Sequence, residues 1–295
     1  MKIIKYLLIV SVTSILFSCG TDKTEESIKF FKRGNQKFKE KEYLESIHWF
    51  DESIIQNPKF ADSYNNRGLA YQKIEKIDEA LKDFDKAIEL DKKYWEAYYN
   101  RAEAFFLKGD FQNAMLDYDR LAIPFKDSSF YYVSRADTKV QLSNTSGATA
   151  DYEKAILLNP KNADAYTNQG YLYFEDKEYD LAKQSFQKAI LNDPKQDFAL
   201  NNLAFILNTE KKYEEALKMV NLALKQEPTQ PFYINNKGLI LLNLGKLEEA
   251  RELIERSIRL NDKNGLAYQN LGLYYQKKGE NLKAKENFDL AKGLE

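Results

Sequence analysis

Residues 61–94 read ADSYNNRGLAYQKIEKIDEALKDFDKAIELDKKY, and residues 163–196 read ADAYTNQGYLYFEDKEYDLAKQSFQKAILNDPKQ. Both stretches are 34 residues long and they start three times 34 apart, so a fixed period is the first thing to test. Sliding the chain along itself by 34 yields eight units without insertion: 27–60, 61–94, 95–128, 129–162, 163–196, 197–230, 231–264 and 265–295. The eighth position is always small: Gly34, Gly68, Ala102, Ala136, Gly170, Ala204, Gly238 and Gly272. So is the twentieth, from Ser46 and Ala80 through to Ala250 and Ala284. The twenty-fourth is large: Phe50, Phe84, Tyr118, Tyr152, Phe186, Val220, Ile254 and Phe288. Two antiparallel helices cross closely only where neither carries bulk at the contact, and a large side chain then fills the space beside the crossing. Each unit has two amphipathic stretches of about fourteen residues, split near positions fifteen to seventeen by segments such as Lys108-Gly109-Asp110-Phe111. Glycine at that split serves as a helix C-cap, and Pro58, Pro160, Pro194 and Pro228 stop the second helix.

The combination of period, paired small positions and closing proline resembles the tetratricopeptide repeat, over residues 27 to 295. The resemblance implies an all-α solenoid of eight 34-residue helix-turn-helix repeats, wound as a right-handed superhelix whose first helices line a concave groove. Each hairpin then contacts mainly its neighbours, and stability becomes approximately a sum of repeat and interface contributions. Two places depart from the pattern. Leu121 stands where a small twenty-seventh residue is usual, and Pro124 arrives two positions early, which predicts a bend or looser interface near 121–132. At the far end, the face bearing Phe288 and Leu294 is left half covered, which suits either a homodimer through the last repeat or simple fraying.

Ahead of the repeats, Lys2 and Lys5 precede twelve uncharged residues, Tyr6 to Phe17, too few for the roughly 20 that span a bilayer as a helix. The run reads as a signal-peptide core over 1–18. It ends in Leu16-Phe17-Ser18-Cys19-Gly20, which resembles a bacterial lipobox with a bulky residue at Phe17. That resemblance implies acylation of Cys19, a short tether over 19–26, and anchorage of the chain to a membrane by lipid. The absence of Asp at position 20 points, by enterobacterial sorting rules, to the outer membrane of the cell envelope, on its periplasmic face or at the cell surface.

Composition closes off several function classes. The chain has 44 Lys+Arg against 45 Asp+Glu, so it lacks the excess of positive charge that holds nucleic acid by counterion release. One cysteine and one histidine exclude an intrachain disulfide and the multi-Cys and multi-His metal centres. No phosphate-binding GxxxxGKS loop or GxSxG elbow is present, His48 sits in a second-helix segment, and no cofactor is implied. Signal, tether and repeats account for the length given, which points away from an enzyme.

In the repeat frame the sixth position faces the groove, and six of its eight residues are asparagine: Asn66, Asn100, Asn168, Asn202, Asn236 and Asn270. An amide offers a donor and an acceptor, the complement of a peptide unit, so a row of them suits an extended backbone of any sequence. The row is similar to the asparagine ladders of other tetratricopeptide superhelices. Beside it stand Tyr171, Phe174, Phe198, Phe205 and Phe232, the kind of aromatic anchor that dominates binding surfaces. The corresponding positions of the second and third repeats are more acidic, with Asp62, Glu96 and Glu103. The basic residues of the carboxylate clamp found in chaperone adaptors are missing: their positions hold Phe31, Glu96 and Asn100. These features predict a membrane-anchored scaffold of the bacterial envelope that binds a partner protein or an extended peptide. The alternative is a glycan- or peptidoglycan-binding module that uses the same groove.

Overall fold

The computed structural model describes residues 24–294; Cys19, the apolar run before it and Glu295 lie outside them. Among the described residues there are sixteen helices and no strand. In chain order they are α1 (24–39), α2 (Tyr43–Gln56), α3 (Ala61–Lys73), α4 (Ile77–Leu90), α5 (Trp95–Lys108), α6 (Phe111–Arg120), α7 (Ser129–Gln141) and α8 (Thr145–Leu158). They continue as α9 (Ala163–Glu175), α10 (Tyr179–Asn192), α11 (Asp197–Thr209), α12 (Tyr213–Gln226), α13 (Pro231–Asn243), α14 (Leu247–Leu260), α15 (Gly265–Lys277) and α16 (Asn281–Lys292). Contacts divide the chain into two compact units, one up to Asn144 and one from Thr145.

Within each unit consecutive helices pack on one another, and the odd-numbered helices also lie side by side, α3 on α5 and α5 on α7 in the first, α9 on α11, α11 on α13 and α13 on α15 in the second. The crossing inside a hairpin is as tight as the small positions require. A Cβ on Gly68 would lie 2.7 Å from the Phe84 ring, and one on Gly170 2.9 Å from the Phe186 ring. Where the eighth residue is alanine, the partner changes shape, as in Ala102 with Tyr118 and Ala204 with Val220, and all four of these side chains are fully buried.

Neighbouring repeats of the first unit are joined by a clasp. Arg67 donates two hydrogen bonds to Asp83 of its own hairpin, at 2.6 and 2.7 Å, and a third to Asp51 of the preceding one at 2.5 Å. One repeat on, Arg101 does the same with Asp117 (2.7 Å, twice) and Asp85 (2.6 Å). Burial opposes the charge on Arg67, but the bonds and charge of Asp83, then of Asp51, outweigh it and hold the guanidinium above its ordinary pKa.

The early Pro124 has the effect expected of it. Helix α6 spans ten residues where α4 spans fourteen, and the α6–α7 interface is the thinnest between consecutive helices of the first unit. Leu121 turns inward and is fully buried, and the Phe125 ring stacks on Tyr99, 5.8 Å between centroids. The same junction holds a phenol network: Tyr99 shares a hydrogen bond with Ser134 at 2.9 Å, and Tyr118 donates to Glu103. Burial, reinforced by the Glu103 charge, pushes Tyr99 up to about 12. Because the folded value lies above the unfolded one, this contribution to stability is complete below pH ~10 and is lost as pH rises through 10 towards 12. A parallel alkaline titration of phenolate absorbance and helical signal reads this loss, and Tyr99→Phe removes its share.

The turn inside each hairpin puts position fifteen in the left-handed region in every repeat. Gly109, Gly245 and Gly279 take φ of 77–80°, but Lys41, Glu75, Ser143, Lys177 and Lys211 take the same sign at 59–64°. A side chain there costs about 1–2 kcal/mol, part of it offset by the extra freedom glycine has when unfolded. Glu75→Gly and Lys211→Gly should therefore each stabilise by about 0.5–1 kcal/mol, and Gly109→Ala should destabilise by a similar amount, as read by urea denaturation.

Candidate functional site

In the second unit the layer formed by α9, α11, α13 and α15 carries most of the residues singled out from the sequence. Position two of successive repeats puts Phe198, Phe232 and Leu266 at the start of α11, α13 and α15, 39%, 45% and 56% exposed. Tyr171 lies against Phe198 edge-on, with 5.5 Å between ring centroids, and is 36% exposed. A ring at the first turn of a helix has no preceding turn to cover it, so the up-and-down chain path leaves this row facing solvent. Phe205 does not belong to the row. Its ring packs edge-on against Phe174 at 5.4 Å, joining one repeat to the next, and it is half-buried.

The asparagines are also engaged differently from a free ladder. Asn236 Nδ2 donates to Asn201 Oδ1 at 2.9 Å, and Asn270 Nδ2 to Asn235 Oδ1 at 3.0 Å. In the first unit Asn100 donates to Asn65 at 2.9 Å and Asn66 to Asn35 at 2.7 Å. Except for Asn66, each bond runs from position six back to position five of the preceding repeat, so the amides stitch repeats together. Asn202 instead turns its amide onto the Phe198 carbonyl at 2.8 Å, and both it and Asn270 are buried. Asn66, Asn100, Asn168 and Asn236 are half-buried. Wherever a bond from one of these amides is seen, one of its two N–H groups is used inside the protein, and the other N–H is the donor a groove ligand would meet. The stitch had a visible signal in the pairs Asn65-Asn66, Asn201-Asn202 and Asn235-Asn236, because an acceptor at position five is what the next repeat's position six needs.

The other predicted features fall apart in space or into structure. Asn35 and Asn66, which stand where the carboxylate clamp of chaperone adaptors has its two asparagines, bond to each other. The exposed His48 lies beside the Trp49 ring, 5.1 Å between centroids. Burial, then a hydrogen bond to Asp62, holds the Tyr94 phenol well above its ordinary pKa, so Asp62 at the start of the second repeat is engaged by the last residue of the same repeat. Among the described residues no group of three or more His, Cys, Asp or Glu side chains could hold a metal, and no helix is long and apolar enough to cross a membrane.

Stacked helical hairpins with buried small–large crossings and inter-repeat amide stitches define a helical repeat protein. The comparisons give the class its name. Models of the tetratricopeptide repeat match residues 61–94, 151–184, 233–264 and 266–295. Among solved structures, the chain superposes on the APC/C hetero-tetramer Cut9-Hcn1 with a TM-score of 0.69 and 19% identity over 85% of its length, and spans 47% of that chain. A tetratricopeptide repeat protein from Parabacteroides merdae gives 0.64 at 17% identity, with 85% of this chain and 99% of that one covered. MamA from Desulfovibrio magneticus gives 0.54 at 13% identity over 58% of this chain and 97% of the other. No curated protein matches the chain in sequence. The chain is a tetratricopeptide repeat protein, and such repeats make it a scaffold for protein–protein interaction.

Proposed function

We propose that this protein is a lipid-anchored scaffold of the bacterial cell envelope, non-enzymatic, which holds an extended peptide or partner protein against the first-helix layer of its second unit. The row Tyr171, Phe198, Phe232 and Leu266 carries the reading. Four large apolar side chains are left to solvent, each at a cost that a covering partner removes, and three of them, Phe198, Phe232 and Leu266, stand on helices joined by the Asn201–Asn236 and Asn235–Asn270 bonds. The half-buried amides of Asn168 and Asn236 lie on the same helices and supply polar matching for a backbone. Anchorage rests on the sequence around Cys19, and the outer membrane on the residue that follows it.

Crosslinking in intact cells tests the binding face. Phe198→Ala with Phe232→Ala should remove the partners captured by the unaltered protein, and an unchanged capture profile sinks the reading. Anchorage is tested separately: an alkyne-tagged fatty acid fed to cells should label the unaltered protein and not Cys19→Ala.

A further inference from the structure

The clasp that joins the early repeats is absent from the sixth, and its absence opens a cavity. In the second repeat the slot between hairpins is filled by Arg67, bonded to Asp83 and Asp51, with the Tyr71 ring 5.8 Å from the guanidinium. The third fills it likewise with Arg101, Asp117, Asp85 and Phe105. Advancing by the repeat period, the same positions in the sixth hold Leu203 for the arginine, Met219 and Gln187 for the two aspartates, and Leu207 for the aromatic ring. A long guanidinium and a ring have been exchanged for two leucines, and a pocket of about 350 Å³ lies at that place, between α10, α11 and α12.

Its floor is Leu203, Leu207 and Met219, and its rim carries Lys183, Lys212 and Lys218. Glu210 draws two of these together, bonding Lys183 at 2.6 and 2.7 Å and Lys212 at 2.8 Å. Three lysines against Glu210 and Glu215 leave the rim net positive. Ligand pockets run from about 300 to 1,000 Å³, with apolar walls and a few polar groups that set orientation. We infer that this pocket binds an amphipathic carboxylate, an apolar body seated on the leucines with its anion at the lysine rim. Two sources share that chemistry: a medium-length fatty acyl carboxylate and the C-terminal leucine of a peptide.

Calorimetric titration of the full chain with decanoate in one arm, and in the other with a short peptide ending in a leucine carboxylate, tests the inference and separates the sources. Saturable binding is expected in at least one arm, and decanol or the C-terminally amidated peptide should bind about tenfold more weakly or worse, the equivalent of one modest charge interaction. Lys212→Glu with Lys218→Glu, both exposed changes, should cost a similar factor; Lys82→Glu, at the position of Lys218 in the filled second-repeat slot, should cost nothing. A second variant refills the cavity with Leu203→Arg, Met219→Asp and Gln187→Asp and should abolish binding. No saturable binding in either arm, or binding that survives the rim reversal, overturns the inference.

Discussion

Arg67→Leu should lower the unfolding free energy of the first unit by about 2–4 kcal/mol, one of the two largest effects we expect of a single substitution here. The cause is the partner left behind. Asp83 is nearly inaccessible, its side chain 7% exposed, and loses both of its bonds to Arg67, whereas Asp51 is 42% exposed and returns to water. An unpaired buried carboxylate is what makes a broken ion pair costly; the attraction within the pair largely offsets its own desolvation. Removing the carboxylate as well should therefore restore most of the loss. The protein already contains the product of that exchange, since the sixth repeat has Leu203 and Met219 at these two positions. Arg67→Leu with Asp83→Met, followed by urea denaturation beside both single variants, is expected to recover more than half of the deficit. A double variant no more stable than the worse single would show that the clasp contributes through geometry which an apolar pair cannot replace.

The second large effect is Phe186→Ala, expected to cost about 3–5 kcal/mol. Phe186 is fully buried in the core that runs through α9, α10, α11 and α12, with its ring against the bare backbone of Gly170. Truncation leaves a void that the crossing helices cannot close, because the Ala182 and Ala189 contacts on the same helix hold them apart at their present spacing. Gly170→Ala with Phe186→Val should be milder than Phe186→Ala, because it reproduces the Ala204–Val220 pair found one repeat later. Thermal unfolding of Phe186→Ala, Phe186→Val and the double variant ranks the three, and a glycine–valine or glycine–alanine pair as stable as the native one would show the crossing to be loosely packed.

Much of the fold is legible in the residues because each of its rules acts locally and repeats. A glycine or alanine eight residues into a unit, and a ring or branched chain sixteen later, meet across one hairpin, so the period reveals their partnership without any knowledge of the tertiary path. The division at Asn144 and Thr145 is less legible. Pro124 correctly marks the short α6 and its thin contact with α7, yet the boundary between the compact units comes one helix further on.

The candidate site shows the limit more sharply. Phe198, Phe205 and Phe232 are alike as residues on first helices, but position nine turns Phe205 into the neighbouring repeat while position two leaves the other rings at a helix start without cover. Asparagine at position six announces a polar contact and cannot say with whom; the acceptor is 35 residues back, supplied by how far one repeat advances over the last. Sequence alone determined that the chain is a row of helical hairpins, because their internal packing depends on spacing within 34 residues. Which amides are spent, which rings are buried and where a slot stands open depend on the offset between adjacent hairpins, a distance through space that no single repeat encodes, and only the tertiary structure decided them.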